Sequence, residues 1–250
     1  MRIFLAGATG VIGRRLALLL RDAKHEVAGS TRDPAKAARL KTLGIEPVVV
    51  DVFDADGLAR AVARARPDVI VHQLTDLAGA PGTPGYAAGQ EANRRLRIGG
   101  THNLMQAATR AGVRRVVAQS VAFVYAPGHA ARVESDPLDF AAGPPRHLTV
   151  EGVVALEREV LRTSDIAGVV LRYGYFYGAG TWYDVPPKPP SVHIDAAAHA
   201  ALISMDKGDG IYNIAEDGDA VSSAKAKREL AFDPMFRMPA RLAQELEGSG

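Results

Sequence analysis

Met1-Arg2-Ile3-Phe4-Leu5-Ala6-Gly7-Ala8-Thr9-Gly10-Val11-Ile12-Gly13 opens the chain, and this stretch decides how the fold is read. Ile3 to Ala6 is an apolar run of strand length. Glycines 7, 10 and 13 separate it from a helical pattern over Arg14 to Arg21. Further apolar runs at Glu26 to Ala28, Pro47 to Val50, Val69 to His72, Arg115 to Ala118 and Gly168 to Leu171 alternate with amphipathic segments. Parallel strands need crossover connections, and near-continuous apolar strands bury both faces. The rhythm therefore predicts an α/β fold: a doubly wound parallel sheet of Rossmann type.

A glycine turn between the first strand and the first helix has a physical use. The first glycine permits a tight turn, the second lets a diphosphate approach the backbone, and the third lets helix pack on strand. The helix N-terminus adds unpaired N–H groups and a positive dipole end. Gly7, Gly10 and Gly13, with Thr9, Val11 and Ile12, are thus expected to hold a dinucleotide. After the second strand, an acidic residue would favour NAD and a basic one the 2′-phosphate of NADP. Ser30, Thr31 and Arg32 stand there, so NADP(H) is favoured over NAD(H), with Arg14 or Arg15 as a second cation. Arg32 also reads as a solvated loop cation, and Asp33 as a helix N-cap. Asp51, followed by Val52, is either an adenine contact or a cap for a helix starting near Ala55. His72, Gln73, Leu74 and Thr75 follow the fourth strand at the sheet's carboxyl edge, where ligands bind in such folds. His72 there is a proton carrier or a polar wall.

Gly79 to Gly89 and Ala126 to His147, rich in glycine or broken by prolines, are expected as loops over a pocket. Beyond the proline stretch Val185 to Pro190, a helix over Asp195 to Ile203, a strand over Ile211 to Ile214 and a helix over Ser222 to Leu230 suggest a small C-terminal cap. The expected division is a dinucleotide-binding domain over residues 1–178 and a cap over 179–250, with Glu245 to Gly250 as a frayed tail.

The formal net charge of +2 is too small for a nucleic-acid footprint. With no cysteine there is no disulfide, thiolate metal site or thiol nucleophile, and a reducing, cytoplasmic setting is expected. No apolar run has the length of a signal-peptide core or a membrane span, so the expected partner is a small-molecule substrate and not a membrane.

Taken with the glycine turn, four segments resemble the extended and atypical short-chain dehydrogenase/reductases, which include sugar-nucleotide epimerases and dehydratases. They are Gly100-Thr101-His102-Asn103-Leu104-Met105, Ser120-Val121-Ala122-Phe123-Val124-Tyr125, Leu171-Arg172-Tyr173-Gly174-Tyr175-Phe176-Tyr177-Gly178 and Val192-His193-Ile194-Asp195. The resemblance implies catalysis by a Ser or Thr after the fifth strand and a Tyr-x-x-x-Lys pair on the next helix. There the lysine lowers the pKa of a phenol that is otherwise a poor base at neutral pH. Alignment on the family pattern puts Val121, Thr149 and Val153 at those three positions. Ser120 and His147 stand close enough to substitute, or else satisfy a strand end and lie on a loop.

Tyr173, Tyr175 and Tyr177 follow the sixth strand, and Tyr175 falls where the family has an asparagine near the nicotinamide. These phenols are either proton donors or an aromatic wall. The catalytic candidates are therefore Tyr175, Tyr173, Ser120 and Thr149. Asp195 is expected to cap a helix from Ala196 with His193 orienting the loop, and no third ligand suggests a metal. Two functions follow from the resemblance. One is an NADP(H)-dependent oxidoreductase or epimerase-like enzyme acting on a small carbonyl, hydroxyl or sugar-type substrate. The other is an NADP(H)-binding sensor without turnover. The short Gly180 to Asp184 segment argues against a nucleotide-sugar grip, and helices flanking the sheet offer a face for a homodimer.

Overall fold

A computed structural model describes residues 1–248 except 78, 80, 81, 129, 130, 164 and 219. Its first half runs β1 (Arg2–Ala6), α1 (Val11–Asp22), β2 (Glu26–Thr31), α2 (Pro34–Thr42), β3 (Glu46–Val49), α3 (Ala55–Ala65) and β4 (Val69–His72). After it come α4 (Tyr86–Arg95), a π-turn over Leu96–Gly100, α5 (Thr101–Arg110), β5 (Arg115–Val121), α6 (Arg146–Leu161) and β6 (Ala167–Tyr173). The last part holds β7 (Tyr175–Tyr177), β8 (Ser191–His193), α7 (Ile194–Ile203), β9 (Gly210–Ile214), α8 (Ala224–Leu230) and α9 (Ala240–Gly248).

The main sheet is parallel with strand order β3-β2-β1-β4-β5-β6-β9, the doubly wound architecture read from the sequence. Successive residues of β1 feed opposite layers because side chains alternate along a strand. Ile3 and Leu5 join Leu16 and Leu20 of α1 on one face. Phe4 and Ala6 join Leu58 of α3 and Leu104 of α5 on the other. The chain leaves β1 toward opposite sides at β2 and β4, and that reversal opens a crevice at the carboxyl ends of the strands.

The region from residue 179 onward is built into this body. β9 extends the main sheet beside β6, with Tyr212 and Ile214 in the same apolar layer as Leu171, and only β7 and β8 pair apart from it. Where a frayed tail was expected, α9 continues to Gly248 because Leu242 and Leu246 bury themselves against the core layer that contains α1. Ser249 and Gly250 of that stretch lie outside the described residues, as do parts of the two expected loops. The first of those loops also ends earlier than its composition suggests, since α4 begins at Tyr86.

The cap of α7 differs from expectation. His193 Nδ1 accepts from the Asp195 N–H at 3.2 Å, so the helix starts at Ile194 and not Ala196. Asp195 instead receives Arg15 Nε at 2.9 Å and the Met238 N–H at 3.1 Å. Arg15 also donates to the Ala179 carbonyl at 2.6 Å, so it fastens α1 to the C-terminal region and is not free to meet a phosphate.

Under the sheet's far end lies a buried polar network. Glu157 is gripped by Arg172 Nη2 at 2.6 Å and Nε at 2.8 Å, and it accepts from Ser120 Oγ at 2.8 Å. Arg172 also donates to Tyr125 Oη at 2.7 Å, and Tyr125 donates to Asn213. The paired carboxylate raises the pKa of the Arg172 guanidinium despite its burial. Removing one member leaves an uncompensated buried charge. Arg172→Met is expected to lower stability by about 3–5 kcal/mol in urea titrations. A loss below about 1 kcal/mol, the scale of an exposed pair, would contradict this account.

Candidate functional site

The turn after β1 is shaped by two positions that only glycine fits. Gly7 has φ of +87°, and a Cβ there would stand 2.8 Å from the Gln73 carbonyl oxygen. A Cβ on Gly13 would lie 2.1 Å from the Gly7 oxygen. Gly10 is different, since the nearest atom to its Cβ position is 3.4 Å away and the space beyond is open. No side chain caps α1 and no acidic residue lies in its first turn, so its leading N–H groups face that space with the helix's positive end. An anion fits this cradle.

On the β2 side a cavity of about 380 Å³ is lined by Gly7, Thr9, Gly10, Ser30, Thr31 and Arg32. Asp51, Val52, Gln73 and Leu74 complete its far wall. Gly7 N–H donates to Ser30 Oγ at 3.4 Å and Thr9 Oγ1 to Thr31 Oγ1 at 3.3 Å, stitching the turn to β2. Arg32 forks onto Asp76 at 3.0 and 3.2 Å, an exposed pair whose carboxylate raises the arginine's pKa. Lys36, in the first turn of α2, reaches the same cavity. Asp33 caps α2 through the Ala35 N–H at 2.9 Å. The cap of α3 is Asp54, which leaves Asp51 to accept from the Phe53 N–H at the cavity's edge.

A second cavity, of about 340 Å³, shares Gly10, Gln73 and Thr75 with the first and continues along Val11 and Ile12 toward β7. Phe123 and Tyr175 stack in its wall with ring centroids 4.3 Å apart and planes 5° from parallel. Burial raises the pKa of the Tyr175 phenol. Tyr173 stands behind the wall: wholly buried, it packs on Phe176, burial pushes its phenol far above the ordinary range, and the Gln73 side chain beside it works against that rise. Tyr177 likewise faces away, donating to Glu216.

Among the hydroxyls, Ser120 is held by Glu157 and is absent from the described cavity lining, whereas Thr149 lines the cavity and donates to Gln90 Oε1 at 2.7 Å. His147 sits in the first turn of α6, outside that lining. His72 lines neither cavity. Its Nδ1 accepts from the Leu74 N–H at 3.2 Å, which leaves Nε2–H for Thr101 Oγ1 at 3.0 Å. Burial, reinforced by Arg97, lowers its pKa from 6.5 to about 4. A neutral, doubly bonded imidazole is a structural group.

Sequence reasoning missed a polar face formed by Gln90, Asn93 and Arg97, all of which line the second cavity. Their spacing of three and four residues was the available signal, because a helix packed on a sheet ordinarily turns apolar residues inward at that period. Among the described residues no group of three or more His, Cys, Asp or Glu is placed to hold a metal ion, and no helix is long and apolar enough to cross a membrane.

A doubly wound sheet whose first βα turn opens on a two-part groove defines a dinucleotide-binding protein of Rossmann type. Residues 7–183 match a protein family described as NAD(P)H-binding. A 3-diazoavenalumate denitrifying reductase from a Streptomyces species is 38% identical over 273 residues, covering 99% of this chain and 88% of that protein. Among solved structures, a Thermus thermophilus UDP-glucose 4-epimerase in complex with NAD superposes with TM-score 0.75 at 17% identity, covering 100% of this chain and 99% of that one. A Campylobacter jejuni UDP-Glc/GlcNAc 4-epimerase gives 0.73 at 14%, covering 99% and 98%. The chain belongs to the NAD(P)H-binding family, whose model covers most of its length.

The histidine assignment has a pH consequence. Because the folded pKa of His72 lies below the unfolded value, unfolded chains take up the proton first as pH falls from 6.5 toward 4. Stability is therefore full above about pH 6.5 and declines across that window, by on the order of 3 kcal/mol from this residue. In NMR titrations the His72 ring signals should stay unshifted between about pH 5 and 8, and a midpoint near the free-imidazole value would refute the assignment.

Proposed function

We propose that the protein is an NADP(H)-dependent reductase that directs hydride to an electron-poor aromatic substrate in the cavity beside Phe123 and Tyr175. The Gly7, Gly10 and Gly13 turn, with the N–H groups of Val11 and Ile12, holds the diphosphate, and Thr9 ties that turn to β2. Arg32 and Lys36, with the hydroxyls of Ser30 and Thr31, receive the 2′-phosphate, Arg32 exchanging Asp76 for it. Asp51, Val52 and Leu74 bound the adenine side, and His72 supports that wall from behind. When bound, the dihydronicotinamide supplies the hydride.

The observation that carries this reading is the cavity wall itself. Val121 and Thr149 line it and Val153 is buried, at the positions where the resemblance places a serine, a tyrosine and a lysine. Reduction of a carbonyl creates an alkoxide that needs a proton, and neither the valines nor a phenol of raised pKa supplies one readily. An acceptor whose reduction leaves no oxyanion escapes that need. The Streptomyces relative is named as a denitrifying reductase of a diazo compound, and an aryl diazonium meets the condition. One hydride converts it to the arene and dinitrogen: a C–H bond forms, the C–N bond breaks, and no proton is taken up or released. Tyr175 stacks on Phe123 and carries Lys188 Nζ 5.2 Å from its ring centroid, so it acts through its ring, as part of the flat aromatic wall against which a planar substrate packs.

The test is anaerobic incubation with NADPH deuterated at C4 and an aryl diazonium salt, following cofactor absorbance and the deuterium content of the arene. Deuterium on the arene above the protein-free rate supports the proposal. Tight NADPH binding with no turnover across diazonium, quinone and carbonyl acceptors would favour the sensor reading instead. Gly10→Val, which fills the open space over α1, is expected to weaken NADPH binding by about tenfold or more in calorimetry. Arg32→Ala should narrow the preference for NADPH over NADH by roughly tenfold, and equal affinities in the unaltered protein would refute the phosphate assignment. Tyr175→Ala should lower kcat/KM further than Tyr175→Phe, whereas equal losses would return the hydroxyl to the mechanism.

A further inference from the structure

Arg97 projects from the π-turn between α4 and α5 into the wall of the second cavity, with 4% of the residue exposed. Among the described residues its side chain makes no hydrogen bond and no ion pair. Glu157 attracts it from a distance, but that carboxylate already serves Arg172 and Ser120. Burial accordingly lowers the guanidinium's pKa to about 10. A cation largely withdrawn from water without a protein partner is costly, and such a departure from the usual pairing is expected at a functional site.

The surroundings are built around this charge. A Cβ on Gly152 would come within 3.1 Å of Arg97 Cδ and 3.2 Å of the Arg94 backbone, so the position beside Val153 stays bare and the arginine enters. A cation thus arrives from another helix against Gly152, the residue before the one where the resemblance expects a lysine. Asn93 spends its carbonyl oxygen on the Asp76 N–H, leaving its amide hydrogens as donors. The Gln73 amide lies buried beside the Tyr173 phenol, and among the described residues neither of its polar atoms makes a well-formed hydrogen bond. Among the described residues Arg97 is the one charged group lining this cavity, and Lys188 Nζ stands outside the lining, 5.2 Å from the Tyr175 ring centroid, so the cavity offers an anion a single buried cation.

We infer that Arg97 binds an oxyanion on the aromatic substrate, a carboxylate or an aryl oxide, with the amides of Asn93 and Gln73 beside it. The inference rests on the aromatic-substrate reading of this cavity and adds the substrate's charge. A planar guanidinium fork meets a carboxylate with two parallel hydrogen bonds, fixing the ring's orientation as well as its position.

The test is calorimetry on the full chain without cofactor, titrating trans-cinnamate, 4-nitrophenolate and neutral trans-cinnamamide. At least one anion is expected to bind roughly tenfold to hundredfold tighter than the amide, and the anion that does so separates carboxylate from aryl oxide. Arg97→Met should abolish the difference, and Arg97→Lys should restore part of it. The methionine variant should also melt no lower than the unaltered protein, because an apolar side chain of similar length replaces an unpaired buried charge. Equal binding of anions and amide by the unaltered protein, or anion binding undiminished in Arg97→Met, would overturn the inference. A destabilised methionine variant would instead mark Arg97 as structural. These titrations involve no turnover, so their failure leaves the hydride-transfer proposal standing, and missing deuterium transfer leaves the anion site standing.

Discussion

Everything at the crevice depends on how closely the first turn of α1 approaches the end of β1. The contact requires a hydrogen atom where any other residue has a Cβ: at Gly13 that atom would meet the Gly7 carbonyl oxygen at 2.1 Å. With the helix seated so tightly, its first N–H groups have no intrahelical acceptor and no side-chain cap, and they point across the switch between β1 and β4. The sheet supplies rigidity, Ile3 to Ala6 being buried on both faces. The turn supplies a localised positive potential, and an anion-binding surface follows from these two facts without any charged side chain.

Buried polar groups divide into two kinds here. Glu157, Arg172, Ser120, Tyr125 and Asn213 satisfy one another, and their network holds β5, β6, β9 and α6 in register. His72 is satisfied as well, by Thr101 and the Leu74 N–H. Arg97 and Gln73, by contrast, are buried and left open to the groove. Tyr173 Oη and His199 Nδ1 are buried and unmet away from both cavities, so an incomplete group reads as a recognition surface only where it also lines the groove. Ser120 and Thr149 both spend their hydroxyls inside the protein, on Glu157 and Gln90, and they differ in that Thr149 lines the cavity.

The strands, the glycine turn and the basic residue after β2 were legible because each is local. Strand length and apolar runs follow from burial on both faces, and the glycines follow from backbone geometry within a few residues. Less legible were the ends of elements and the partners of charged side chains. Asp195 carries the sequence signature of an N-cap, yet His193 takes that role, since Arg15 arrives from α1 to claim the carboxylate. The C-terminal residues look like a separate cap in composition, yet β9 finds an open sheet edge beside β6.

The amino-acid sequence by itself determined the doubly wound class, the place of the glycine turn after β1 and the valine, threonine and valine at residues 121, 149 and 153. These depend on spacing along the chain and on side-chain chemistry. Only the tertiary structure decided that Tyr173 belongs to the core while Tyr175 stacks on Phe123 at the cavity, that His72 is neutral, and that Arg97 comes to rest beside Gly152 without a counter-ion among the described residues. The reason is physical: burial and charge pairing are properties of atoms brought together from distant parts of the chain, and no local pattern encodes which of them will meet.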